Sequence, residues 1–140
     1  MEVTPMDYQA QIEYTNQNNP FMTHSGITVT SLKLDQAQGQ LNAGPEQLNI
    51  IGSVHGGALF TLADCLAGLA ARSNGGRYTT LDSSFHYLKA GKPGVIYGQA
   101  EMVHRGRSTC VVRVQITQEE RLLAEGTFTM FCLRQPEPQA

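Results

Sequence analysis

No apolar run in this chain approaches the roughly 18 consecutive residues that cross a bilayer, so no membrane-spanning helix is expected. The opening residues, MEVTPMDYQAQIEYTNQNN, also lack a basic start followed by an apolar stretch, which argues against a secretory signal. Charge is scarce as well. Only 16% of residues are charged and the formal net charge is -2, leaving no basic stripe for the phosphates of a nucleic acid. Cysteine is limited to Cys65, Cys110 and Cys132. An odd count without short spacings supports neither a disulfide framework nor a zinc site, so these read as reduced, mostly buried thiols of a cytoplasmic protein. Internal repeats and low-complexity linkers are missing too.

What is present is an ordinary globular composition. The chain has 140 residues, 41% of them apolar, which suits one domain with its own core. Residues about 5–18 read as a short polar helix, started by Thr4-Pro5 and stopped before Asn19-Pro20. GITVTSLKLDQAQGQLNAG alternates at Ile27 and Val29 and resumes after Gly39, which predicts a hairpin. A long helix is expected over about 56–73, stopped by Asn74-Gly75-Gly76. Four strand-like runs follow: YTTLDSSFHYLKA with Leu81, Ser83, Phe85 and Tyr87 on one face; VIYGQAEMVH; STCVVRVQIT with Cys110, Val112, Val114 and Ile116; and RLLAEGTFTMFC with Ala124, Gly126, Phe128 and Met130. Short turns between them favour antiparallel pairing. One long helix among antiparallel strands defines an α+β domain. It spans residues 1–140, with 1–19 as a helical segment and 134–140 as a flexible tail.

The long helix carries two oddities. It opens on His55-Gly56-Gly57 and holds Asp64 in mid-run. At 3.6 residues per turn, Leu59, Leu62, Leu66 and Leu69 form one apolar stripe. The opposite face is Gly57, Thr61, Asp64, Gly68 and Ala71, with Phe60 beside it. These are mostly small residues, which permit close approach of another backbone, so this face either meets a second subunit with Asp64 at the seam or leaves Asp64 in water. The glycines leave the N–H groups of the helix N-terminus open to a ligand, where they could hold the oxyanion that forms on a carbonyl. The plainer alternative is His55 as an imperfect cap on a tight Gly56-Gly57 loop. Asp64 lies seven residues beyond Gly57, about 10 Å along the axis, too far for both to act on one carbonyl. Two helices packed antiparallel across a dimer axis would bring Asp64 of one to Gly57 of the other.

The pattern Asn49-x-x-Gly52-x-Val54-His55-Gly56-Gly57, with Asp64 nine positions after His55, closely resembles the hotdog-fold acyl-CoA thioesterases of the phenylacetate-degradation type. PFMTHSGITVTSL, TTLDSSFHYLKA, VHRGRSTCVVRVQI and LLAEGTFTMFCL extend the likeness over about residues 20–133. The resemblance implies a long helix wrapped by a curved antiparallel sheet, and a homodimer or dimer of dimers with active sites at the subunit interface. It also implies hydrolysis of a small acyl- or aryl-acyl-CoA to free acid and coenzyme A, with no cofactor beyond the coenzyme A of the substrate. By position, the Gly57 N–H would polarise the thioester carbonyl and Asp64 of the neighbouring chain would be general base or nucleophile. His55 and Asn49 would organise the site, and Thr80 would position water. Arg107 and Ser108, in Arg105-Gly106-Arg107-Ser108, would contact coenzyme A with Gly106 and Gly56. Lys89, in Lys89-x-x-Lys92, would add to a basic rim. Both basic stretches also read as solvated turns.

Asp rather than Glu at position 64 disfavours the quinone-precursor thioesters handled by some relatives. Phe60, Phe85, Tyr87 and the central leucines read as pocket lining or as core. His86 and His104 form no metal set with His55, and Cys65 reads as an inert packed thiol. Two alternatives accompany the hydrolase: a hotdog hydratase or dehydratase, which arranges its histidine and acid differently, and a non-catalytic acyl-CoA binder. The first 20 residues are too short and too uncharged for a DNA-binding appendage.

Overall fold

The computed structural model describes residues 6–137, so the expected start at Thr4-Pro5 and the last residues of the tail lie outside the described residues. Helix α1 spans Tyr8–Asn18 and is capped by Asp7, whose side chain accepts from the Ala10 N–H at 3.0 Å. A second helix, α2, follows at Pro20–His24, with Pro20 in its first turn and the Asn19 side chain as its cap. Reading the chain simply as stopping at Asn19-Pro20 missed it: five residues are too few to show helical periodicity.

Strands β1 (Ile27–Lys33) and β2 (Gln36–Ala43) pair as a hairpin. The turn is not at Gly39, as the sequence suggested, but at Leu34-Asp35, with Asp35 at φ 66°. Gly39 instead lies inside β2 opposite Val29, where a Cβ would come within 2.9 Å of the Thr28 carbonyl and 3.0 Å of the Leu66 side chain. Its role is close approach of strand to helix. The long helix, α3, runs Gly56–Arg72. Strands β3 (Arg77–Tyr87), β4 (Gly94–Arg105), β5 (Thr109–Gln118) and β6 (Arg121–Arg134) complete the chain. Arg134, placed in the tail by the sequence reading, is the last residue of β6.

All six strands form one antiparallel sheet in the order β1-β2-β4-β5-β6-β3. The sheet curves around α3, which packs against every strand. This is the hotdog architecture. Leu59, Leu62, Leu66 and Leu69 are buried along the helix stripe, facing Cys110, Val112, Val114 and Ile116 of β5 and Phe128 and Met130 of β6. At the C-terminal end of α3, Arg105 closes the core. Its guanidinium bonds Asp35 Oδ1 at 2.7 Å, the Ala70 carbonyl at 3.1 Å and Tyr78 Oη at 3.1 Å. Arg105 is therefore a structural tie between the β1–β2 turn, the helix end and β3.

Two features set up the functional region. Strand β3 is a sheet edge, and its pairing with β6 slips by one residue between Thr80 and Asp82. Leu81 is the extra residue of this bulge, and it is 61% exposed. Bulges re-aim neighbouring side chains, so the expected alternation fails at Leu81 while Thr80 is turned toward the helix, and Ser83 and Phe85 beyond it keep their half-buried face.

Candidate active site

His55 precedes α3 in an extended conformation, φ -61° and ψ 135°, which frees its side chain to fold back on the first turn. Its Nδ1 accepts the Gly57 N–H at 2.8 Å. That makes Nε2 the protonated nitrogen of the neutral ring. The imidazole thus caps the helix, and the N–H expected to face a substrate carbonyl is already occupied within the protomer. The Gly56 N–H, by contrast, has no partner among the described residues. The side-chain-free positions also have a packing reason. A Cβ on Gly57 would lie 3.0 Å from His55 Nδ1, and one on Gly56 would lie 3.3 Å from the ring of Tyr87. Tyr87 lies over this helix end and donates from Oη to the Gly56 carbonyl at 3.2 Å. The sequence reading had Tyr87 only as lining or core.

Asn49 holds the loop leading to His55. Its Oδ1 accepts from the N–H groups of Ile51 and Ser53, each at 3.0 Å, an Asx turn that Gly52 completes at φ 85°. The loop carries Ile50 and Ile51 almost fully exposed. A cavity of about 390 Å³ at this end of α3 is lined by His55, Gly57, Ala58 and Thr61 of the helix region, Gln47 of the preceding turn, and Phe21 of α2.

Two turns further along α3, Asp64 faces Thr80 of β3. The Thr80 hydroxyl donates to Asp64 Oδ1 at 2.7 Å. This fixes one carboxylate oxygen and leaves the other for a second partner. Asp64, Thr80, Phe60, Thr61, Gly68, Arg72 and Phe21 are among the residues lining a second cavity, of about 460 Å³. Phe21 and Thr61 border both cavities. Within the chain, then, the helix-end donors and the carboxylate open into adjoining cavities that share Thr61 and a side chain of the unanticipated helix α2 as lining.

The small-residue face of α3 is only partly open. Gly57 is exposed and Thr61 and Asp64 are half-buried, but Gly68 and Ala71 are buried inside the protomer. Arg72 and Met130 cover Gly68, so the open part of this face is shorter than the sequence reading had it. Cys65, beside Asp64, is held as a thiol: burial pushes its pKa up to about 11, and the Asp64 charge adds to the rise. It is no thiolate nucleophile at neutral pH.

The two basic stretches do not come together. Lys89 and Lys92 follow β3 near the N-terminal end of α3, where the Val54 N–H donates to the Gly91 carbonyl. Lys92 is paired with Glu119 at 3.0 Å. Gly106, Arg107 and Ser108 form the β4–β5 turn at the opposite end, beside β6, where the Cys132 N–H donates to the Ser108 carbonyl. Arg107 and Ser108 have exposed side chains, as does Lys89.

Comparison with known proteins supplies the context for this geometry. The thioesterase superfamily family model matches residues 51–125, from the loop before α3 into β6. The chain belongs to the thioesterase superfamily. A Streptococcus pneumoniae hypothetical thioesterase solved with coenzyme A is 41% identical, with 79% of this chain and 91% of that one covered and a TM-score of 0.75. Further structures of the pneumococcal protein carry single alanine substitutions of an aspartate and of a threonine. A mutant of the phenylacetic acid degradation protein PaaI from Thermus thermophilus is 30% identical, covers 81% of this chain and 99% of its own, and superposes with a TM-score of 0.78. A Mycobacterium tuberculosis protein provisionally named an esterase is 31% identical over 118 residues, 79% of this chain and 84% of its own length. The thioesterase is thus a thioester hydrolase of the hotdog, PaaI-like kind. No helix among the described residues is long and apolar enough to cross a membrane.

Proposed function

We propose that this thioesterase hydrolyses a small acyl- or aryl-acyl-CoA thioester, with Asp64 as the catalytic carboxylate and the N-terminal end of α3 from a second copy of the chain holding the carbonyl. The observation that carries the reading is the Thr80–Asp64 hydrogen bond at 2.7 Å, which orients a carboxylate inside a cavity on the helix of a thioesterase fold. Coenzyme A on a pneumococcal relative and the phenylacetate role in the Thermus relative's name support the substrate class.

In this mechanism Asp64 takes a proton from water as the water oxygen attacks the carbonyl carbon. Negative charge gathers on the carbonyl oxygen, where the Gly56 N–H and, once His55 yields it, the Gly57 N–H stabilise it. The tetrahedral intermediate then collapses, the C–S bond breaks, and the coenzyme A thiolate leaves and takes up the proton. Asp64 attacking directly, through an acyl-aspartyl anhydride, reaches the same products. A thioester has a weakly stabilised carbonyl and a good leaving group, so one carboxylate and a helix end suffice without a triad. The scheme uses no cofactor beyond the substrate's own coenzyme A.

Gly57 and Asp64 are about 10 Å apart along the helix and open into different cavities, which favours a site shared between two antiparallel α3 helices. The unpaired edge of β3, 11 residues long, offers a second surface on which copies can join, because an exposed edge of that length invites strand pairing. Arg107, Ser108 and Lys89 are the proposed contacts to coenzyme A phosphates, the two ends of the sheet being brought to one ligand by the dimer. The test is loss of thioester absorbance with a panel of aryl-acetyl-, benzoyl- and fatty acyl-CoAs, comparing wild type with Asp64→Asn. Turnover that disappears in Asp64→Asn, with sedimentation and melting unchanged, supports the assignment. Full turnover in that variant, or an active monomer, overturns it.

A further inference from the structure

Arg72, near the C-terminal end of α3, lines the Asp64 cavity and also a groove of about 710 Å³ beneath α1. Its side chain leans back toward the helix N-terminus, the usual direction for long helical side chains. A Cβ on Gly68 would sit 2.9 Å from its Nη1, so glycine at 68 is what leaves the guanidinium room. Among the described residues it makes no side-chain hydrogen bond and no ion pair, whereas Arg105, Arg113 and Arg134 each have a carboxylate. Arg77, Arg107 and Arg121 are exposed to water. Arg72 is half-buried, and burial disfavours its charge by more than the nearby Cys65 and Asp64 restore. Five N–H donors in such a place call for an acceptor.

Asp64, Gly68 and Arg72 are spaced four apart on one face of α3. With the guanidinium folded back to the level of Gly68, it stands about one helical turn, roughly 5–6 Å, from Asp64. The cavity therefore has a negative end, where Thr80 holds the carboxylate, and a positive end one turn away. Between them the helix surface is Gly68, with the Met130 side chain beside it.

We infer that Arg72 reads the far end of the acyl group, and that the preferred substrates are short acyl-CoA thioesters whose chain ends in a carboxylate. This inference rests on Asp64 marking the thioesterase site. A guanidinium presents a planar fork that matches a carboxylate with two parallel hydrogen bonds. A purely apolar acyl chain would cover the same donors and leave them unpaired. A chain of about five carbons, running alongside this turn past Met130, brings a terminal carboxylate to the fork while its thioester carbonyl stays beside Asp64.

The experiment compares kcat/KM for glutaryl-CoA and pentanoyl-CoA, equal in chain length, in the wild type, Arg72→Met and Arg72→Lys, following thioester absorbance. The expected result is a wild-type preference for glutaryl-CoA of at least about tenfold. Arg72→Met should collapse that ratio, mainly through KM for glutaryl-CoA, and Arg72→Lys should recover part of it. A wild-type ratio at or below one, or an equal loss on both substrates in Arg72→Met, overturns the inference. Should Arg72→Met fail to fold, the wild-type ratio alone decides. Hydrolysis of pentanoyl- or aryl-acetyl-CoA without glutaryl-CoA leaves the thioesterase reading intact and removes the role of Arg72. No hydrolysis of any acyl-CoA removes the reading on which both depend.

Discussion

Replacing Thr80 with valine removes one hydroxyl and keeps the β-branched shape that suits strand β3. In the wild type that hydroxyl donates to Asp64 Oδ1 at 2.7 Å. A hydrogen bond to a charged group contributes about 1.5–3 kcal/mol. Thr80 is exposed and β3 is an edge strand, so folding stability should fall by no more than about 0.5 kcal/mol. The cost should instead appear in catalysis, because an unrestrained carboxylate spends less time aimed at the attacking water. At about 1.4 kcal/mol per factor of ten, kcat should drop about tenfold to a hundredfold with KM little changed. Thr80→Ser, which keeps the donor, should retain most of the activity. Adding Thr80→Val to Asp64→Asn should cost nothing further, since residues acting as one unit are not additive. Steady-state kinetics on a responsive acyl-CoA, with melting curves for each variant, measures all of this. A Thr80→Val enzyme within twofold of wild type would refute the idea that the hydroxyl aligns Asp64. Equal losses in the serine and valine variants would refute it as well.

Gly126→Ala should be among the most damaging single changes, because its Cβ would run into the Ser84 carbonyl and fall 2.7 Å from the Phe85 Cα; about 3 kcal/mol or more should be lost in chemical denaturation. Arg105→Met should cost about 1–3 kcal/mol, since the bonds to Asp35, Tyr78 and the Ala70 carbonyl go together while both partners of the ion pair keep some contact with water. Stability should also fall at alkaline pH. Burial raises the pKa of Cys65 to about 11 and moves Tyr8, Tyr78, Tyr87 and Cys110 in the same direction. Below about pH 9 these groups are protonated in both states and their contribution is complete. Between about pH 9 and 11 the unfolded chain releases protons that the native state keeps, so melting temperature declines; Cys65 accounts for at most about 2–3 kcal/mol. Cys65→Ala should flatten that decline, and an unchanged slope would count against the burial argument.

Much of the fold was legible because burial follows simple periods. Leu59, Leu62, Leu66 and Leu69 recur at helical spacing and are all buried. Cys110, Val112, Val114 and Ile116 alternate and are all buried too. Misreadings arose where a local feature breaks the period. The bulge at Leu81 shifts β3 by one residue, which no alternation rule anticipates. Asp35 adopts a left-handed turn conformation without being glycine, so Gly39 drew the turn that Leu34-Asp35 makes. Gly68 and Ala71 look like an open face in sequence, but whether small residues are covered depends on long side chains such as Arg72. The site was legible as a set of residues rather than as contacts. His55, Gly57 and Asp64 stood out by type and spacing. That His55 takes the Gly57 N–H is a local contact, which the plainer reading of His55 as a cap had offered; that Phe21 borders both cavities and that Tyr87 lies over Gly56 depend on tertiary packing.

The imidazole on the Gly57 N–H has a consequence for selectivity. An uncapped helix end attracts phosphates and carboxylates in general. With the imidazole seated on the Gly57 N–H, only the Gly56 N–H of this helix end remains open to such bystanders. In the proposed reaction the ring yields the Gly57 N–H only to a thioester carbonyl whose other contacts outweigh one hydrogen bond. A small anion without such contacts meets one open donor there rather than two.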